Sequence, residues 1–172
     1  MQRLYVAIAS VSKCGVIVDS SKTASGAFLL REGHVEPYLV HVVRDSPAVV
    51  FAWSKRVVRP EVTDRVTYMG RRTTLRAAAG WTARNLLCHV VEHTGVPRLL
   101  VRYESLTSDP RRQMERIVRF VDPSTTADLS GFDDREVEVR PIHTVAGNPV
   151  RFRRGRSPIH PAPPPVHRTP GW

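Results

Sequence analysis

Three short apolar runs, each closed by a polar cluster and followed by a helix-compatible stretch, do most to limit what this chain can fold into. They are Val16-Ile17-Val18, Tyr38 to Val43, and Leu99-Leu100-Val101. Each is β-rich, too short for a helix and bounded by turn or polar residues, as buried strands are. The stretches after them suit helices: Thr23 to Arg31, Pro47 to about Val58, and a segment opened by Asp109-Pro110 that carries Met114, Ile117, Val118 and Val121. Pro47 fits the first turn of a helix, and Arg59-Pro60 stops it. A long helix is predicted over Thr74 to His93, with Leu75, Ala78, Ala79, Leu86 and Val90 on its apolar face, ended by Gly95 and Pro97. Leu4 to Ala9 reads as the end of a further helix, before a turn at Lys13-Cys14-Gly15. Alternating strands and helices predict an α/β fold, a mostly parallel sheet with helices on both faces.

The chain has 172 residues, enough for one ordinary domain, and its 41% hydrophobic content excludes a wholly disordered chain. No apolar run is long enough to cross a membrane, and the start at Met1-Gln2-Arg3 lacks the zones of a secretory signal. Cys14 and Cys88 make neither a disulfide framework nor a metal cluster, so a reduced, cytoplasmic setting is expected. His89 and His93 lie one helical turn apart, but no third ligand is indicated, and no metal is expected.

Net charge is +10, from 26 Lys+Arg against 16 Asp+Glu. Residues 151–172 carry five of those arginines and no acid. The remaining excess suits a phosphate-bearing ligand or a nucleic acid, once the arginine bias of a GC-rich genome is discounted. A nucleic-acid reading requires aromatics interleaved with arginines on one face, and the candidate strands show no such interleaving. Trp53 and Trp81 are read as core or rim aromatics. Ser157 to Trp172 holds six of the fourteen prolines and no helix or strand pattern. The expected division is therefore a domain over 1–155 and a Pro/Arg-rich disordered tail over 156–172, with a frame change in the coding sequence as the alternative account of the tail.

The three predicted strands end in Asp19-Ser20-Ser21-Lys22, Arg44-Asp45-Ser46 and Arg102-Tyr103-Glu104. In an open parallel sheet, ligands bind at that carboxyl edge. Hydroxyls, helix-start amides and a cation there can hold phosphate or sulfate oxygens. The competing reading is that Asp19 and Ser20 simply cap the following helix.

In order along the chain, Val16 to Lys22, His41-Val42-Val43-Arg44-Asp45, Arg102-Tyr103-Glu104 with Asp109-Pro110, and His143 to Arg153 resemble the bacterial sulfotransferase family. The resemblance covers about residues 1 to 155. It implies a P-loop-like α/β fold and transfer of a sulfuryl group from 3′-phosphoadenosine 5′-phosphosulfate to a hydroxyl or amine of a small acceptor. On that resemblance Arg44 grips the donor's 3′-phosphate and Tyr103 lies near the adenine. Arg153-Arg154-Gly155 corresponds to a loop that closes on the same phosphate. Lys22 and Ser21 are the catalytic candidates. A charged lysine is a poor base at neutral pH, so Lys22 suits stabilisation of the leaving phosphate, with Ser21 donating to the same group.

The sequence departs from the family in three places. No G-x-x-x-x-G-K-[ST] motif occurs, so the chain looks like a fragment lacking the phosphosulfate loop. Ala52 stands where the family places a serine, and the segment after Gly155 turns into the proline tail. Loss of those loop amides removes the largest electrostatic contribution to sulfuryl transfer, so weak stability and little turnover are expected. The alternatives are a non-catalytic nucleotide-binding remnant and, further off, a basic nucleic-acid-binding protein.

Overall fold

A computed structural model describes residues 2–20, 23–31, 33, 35–59, 62, 64–130, 136–139 and 155–161. The protein is α/β, and it divides into two compact units. One comprises Met1–His41 and Ala79–Leu100, the other Val42–Ala78 and Val101–Trp172.

Chain order is α1 (Gln2–Ser12), α2 (Ser25–Leu30), β1 (Leu39–Val43), α3 (Ser46–Ser54), α4 (Thr74–His93), β2 (Arg98–Arg102), α5 (Tyr103–Ser108), α6 (Pro110–Val121), β3 (Glu136–Val139) and β4 (Gly155–Pro158). Strands β1 and β2 form a parallel two-stranded sheet, with the Leu39 N–H donating to the Pro97 carbonyl at 2.9 Å. Strands β3 and β4 pair antiparallel, Glu136 opposite Pro158 and Val139 opposite Gly155.

In the first unit the core is small. Ala24, Val91 and Val96 are its buried members, with Ala27, Leu39 and Cys88 packed against them. Burial pushes the Cys88 thiol up from its ordinary value. Helix α4 ends as expected: the Gly95 N–H reaches the Glu92 carbonyl at 3.0 Å, and Gly95 takes a φ of 89°, which a Cβ would strain. The face it buries is not the predicted one. Val91 is 2% exposed and Trp81, Asn85 and Cys88 are half-buried, whereas Leu75, Leu86 and Val90 are exposed. Asn85 on the buried face is held by His41 of β1, so a polar contact selects the face.

That contact belongs to a closed network. Arg98 Nη1 donates to His41 Nδ1 at 3.3 Å, and a guanidinium can only donate. His41 Nε2 therefore carries the proton and donates to Asn85 Oδ1 at 2.7 Å. Asn85 Nδ2 donates in turn to the Trp81 carbonyl at 2.7 Å. Arg98 also pairs with Glu92, at 2.7 Å through Nε and 2.6 Å through Nη2, and donates to His89 Nδ1 at 3.3 Å.

The second unit carries α3, the first turn of α4, α5, α6 and the β3–β4 pair. Pro47 lies in the first turn of α3, as predicted, but the helix stops at Ser54 rather than near Val58. Beyond it the chain is extended and ladders against a return segment: Val58 bridges Tyr68, Met69 N–H donates to the Val57 carbonyl at 2.8 Å, and Arg59 N–H donates to the Thr67 carbonyl at 2.9 Å. Asp109 caps α6 by accepting from the Arg112 N–H at 3.1 Å, and Met114, Ile117, Val118 and Val121 are half-buried.

Three further expectations differ from the structure. Val16-Ile17-Val18 is not a strand. Val16 is 56% and Val18 88% exposed and only Ile17 is half-buried, since three apolar residues with no paired neighbour among the described residues bury little. Among the described residues the sheets are of two strands each, not one broad parallel sheet. In the tail segment, Ser157 and Pro158 pair with β3 rather than standing clear of strand structure.

Candidate functional site at the carboxyl edge of the parallel pair

Because β1 and β2 are parallel neighbours, their carboxyl ends deliver Arg44-Asp45 and Tyr103-Glu104 to one edge. The two dipeptides meet there. The Arg44 guanidinium lies over the Tyr103 ring, 4.8 Å from its centroid. The Asp45 backbone N–H donates to Glu104 Oε1 at 3.1 Å. Arg44, Tyr103 and Glu104 are half-buried, and Asp45 is exposed.

The ring's negative face holds the cation in place, and Arg44 Nε is buried beside it. One face of Tyr103 is taken by Arg44, so an adenine has the other face or the ring edge. The next element is α3, whose first turn has Pro47 and no side-chain cap, so its leading amides are not satisfied by an N-cap side chain.

The other candidates divide. Ser21 and Lys22 lie outside the described residues, as do Arg153 and Arg154. Gly155 opens β4 opposite Val139 with a φ of 86°, a conformation that favours glycine. Asp19, expected at a strand end, instead accepts from the Tyr5 hydroxyl of α1, and this bond raises the Tyr5 pKa. Ser54 cannot stand in for the serine missing at Ala52, because its hydroxyl donates to the Phe51 carbonyl at 2.8 Å. His93 Nδ1 is engaged by the His89 carbonyl at 2.8 Å, and among the described residues no cluster of three potential metal ligands occurs. Among them too, no helix is long and apolar enough to cross a membrane.

Sequence reasoning placed Arg44 and Tyr103 at strand ends but missed their contact and the Asp45–Glu104 hydrogen bond. The signal was the matched position of the two pairs, each immediately after its strand. Comparisons with known proteins return no matching family model, no matching curated protein and no matching solved structure.

Proposed function

We propose that this carboxyl edge binds the 3′-phosphorylated adenosine end of 3′-phosphoadenosine 5′-phosphosulfate, within a sulfotransferase-type, P-loop-like α/β domain. One observation carries the reading: a guanidinium stacked on a tyrosine at the adjoining ends of two parallel strands. The cation meets the 3′-phosphate and the free part of the ring meets the base. The neighbouring α3 amides add partial positive charge.

The activity of that class is sulfuryl transfer to a hydroxyl or amine. The bond from sulfur to the donor's bridging oxygen breaks, a bond from sulfur to the acceptor forms, and the acceptor proton leaves. In this proposal Lys22 and Ser21 stabilise the leaving phosphate, and Arg153, Arg154 and Gly155 close on the 3′-phosphate.

Calorimetry tests this with the product nucleotide. 3′-Phosphoadenosine 5′-phosphate is expected to bind about 10- to 100-fold more tightly than adenosine 5′-phosphate, the difference that one charge-assisted phosphate contact supplies. Equal affinities, or no heat with either, would contradict the reading.

A further inference from the structure

The ladder after α3 assembles a surface that no linear pattern reveals. Val57 to Arg59 runs antiparallel to Thr67 to Met69 through the Val58–Tyr68 bridge, and the return segment is tied to the end of α3 by Arg72 N–H donating to the Trp53 carbonyl at 3.2 Å and by Arg71 Nε donating to the Ser54 carbonyl at 2.9 Å. Three cation–aromatic stacks result. Lys55 Nζ lies 4.4 Å from the Phe51 ring centroid, Arg56 3.9 Å from that of Tyr68, and Arg72 4.7 Å from that of Trp53. Two of them join the return segment to what precedes it: Arg56 covers Tyr68 of the return segment, and Arg72 of the return segment covers Trp53 at the end of α3.

The charge is concentrated in the same place. Between Lys55 and Arg76 the sequence carries seven basic residues against two acids. Lys55, Arg56, Arg65, Arg71 and Arg72 are exposed. Phe51 is 62% and Tyr68 41% exposed, so the rings keep area on which another flat group can lie.

We propose that this ladder is a binding surface for single-stranded nucleic acid, with the cations tracking phosphates and the rings of Phe51, Trp53 and Tyr68 stacking bases. Sequence-tolerant single-strand binders combine these two elements, a basic track and aromatic platforms. A duplex hides its base faces, so it gains only the charge term. A sulfated polysaccharide carries the charge but no flat aromatic bases.

The test uses the full chain and fluorescence anisotropy of labelled oligo(dT). Binding is expected to tighten as salt falls, with a log–log slope of about −3, corresponding to roughly four phosphates at 0.7 each. It is expected to be about tenfold tighter for oligo(dT) than for an abasic strand of equal length, which carries the same phosphates without bases. Trp53→Leu and Tyr68→Leu should each weaken oligo(dT) about tenfold and leave the abasic strand unchanged, while Arg44→Ala should leave both unchanged. Equal binding of oligo(dT), abasic strand and heparin would overturn the proposal in favour of a generic polyanion surface. Loss of oligo(dT) binding in Arg44→Ala would overturn it in favour of the strand-edge site. The comparison of oligo(dT) with the abasic strand needs no substitution, so it decides the matter even if a variant fails to fold.

Discussion

Replacing Arg98 by alanine is expected to lower stability by about 2–4 kcal/mol, the range for breaking a buried charge-assisted network, and so to shift the urea midpoint markedly downward. The Arg98 side chain is only 10% exposed and serves three partners, Glu92, His41 and His89. Glu92, 40% exposed, regains water when its partner goes. His41 does not: it is 7% exposed, and its Nδ1 would be left without a donor. Arg98→Lys should recover part of the loss, since an ammonium restores charge beside Glu92 but cannot span three acceptors as a planar fork does.

The network also makes stability pH-dependent. Burial lowers the His41 pKa below the ordinary imidazole value of about 6.5, and the charges of Arg98 and, when protonated, His89 lower it further, against the opposing hydrogen bond to Asn85. The unfolded chain then takes up the proton first as pH falls, so stability is fully present above about pH 6.5 and declines below it. Urea midpoints measured across that range should fall on the acid side, and His41→Gln should flatten the decline. An Arg98→Ala midpoint equal to that of the native chain would remove the network from the account.

Val101→Ala is expected to cost about 2 kcal/mol, from two buried methyl groups and the cavity they leave. Leu75→Ala, although it deletes more hydrocarbon, should stay within about 0.5 kcal/mol. Val101 is fully buried in β2, whereas Leu75 at the start of α4 is 80% exposed. Ala24, Leu30, Ala77, Val91, Val96, Val101 and Leu129, with Pro110, form the buried apolar set among the described residues, so each one matters. Denaturant midpoints for the two variants check this, and equal losses would contradict it.

The contrast between these two residues shows what the sequence carried. Local signals placed α4 at Thr74–His93, because Gly95 and Pro97 stop it, and placed β2 around Leu99 to Val101. They did not select the buried face of α4. Hydropathy favoured the leucines, while Asn85 turns inward because His41 supplies a partner across 44 positions of sequence. Val16 to Val18 has strand composition but, without a neighbour to pair among the described residues, leaves Val16 and Val18 exposed. At the site, the residue types and strand-end positions of Arg44 and Tyr103 were legible. Their stacking was not, since it depends on β1 and β2 being adjacent. The cation–aromatic ladder was hidden for the same reason. Arg56 and Tyr68 become neighbours only when the chain folds back on itself.

The most direct measurement is a thermodynamic cycle over Arg44 and one phosphate group. Native and Arg44→Ala chains are titrated with 3′-phosphoadenosine 5′-phosphate and with adenosine 5′-phosphate. If Arg44 holds the 3′-phosphate, the native preference of about 10- to 100-fold collapses to less than about threefold in the variant, while affinity for adenosine 5′-phosphate changes little. An undiminished preference in Arg44→Ala would show that the phosphate is held elsewhere, and the functional assignment of this edge would fail.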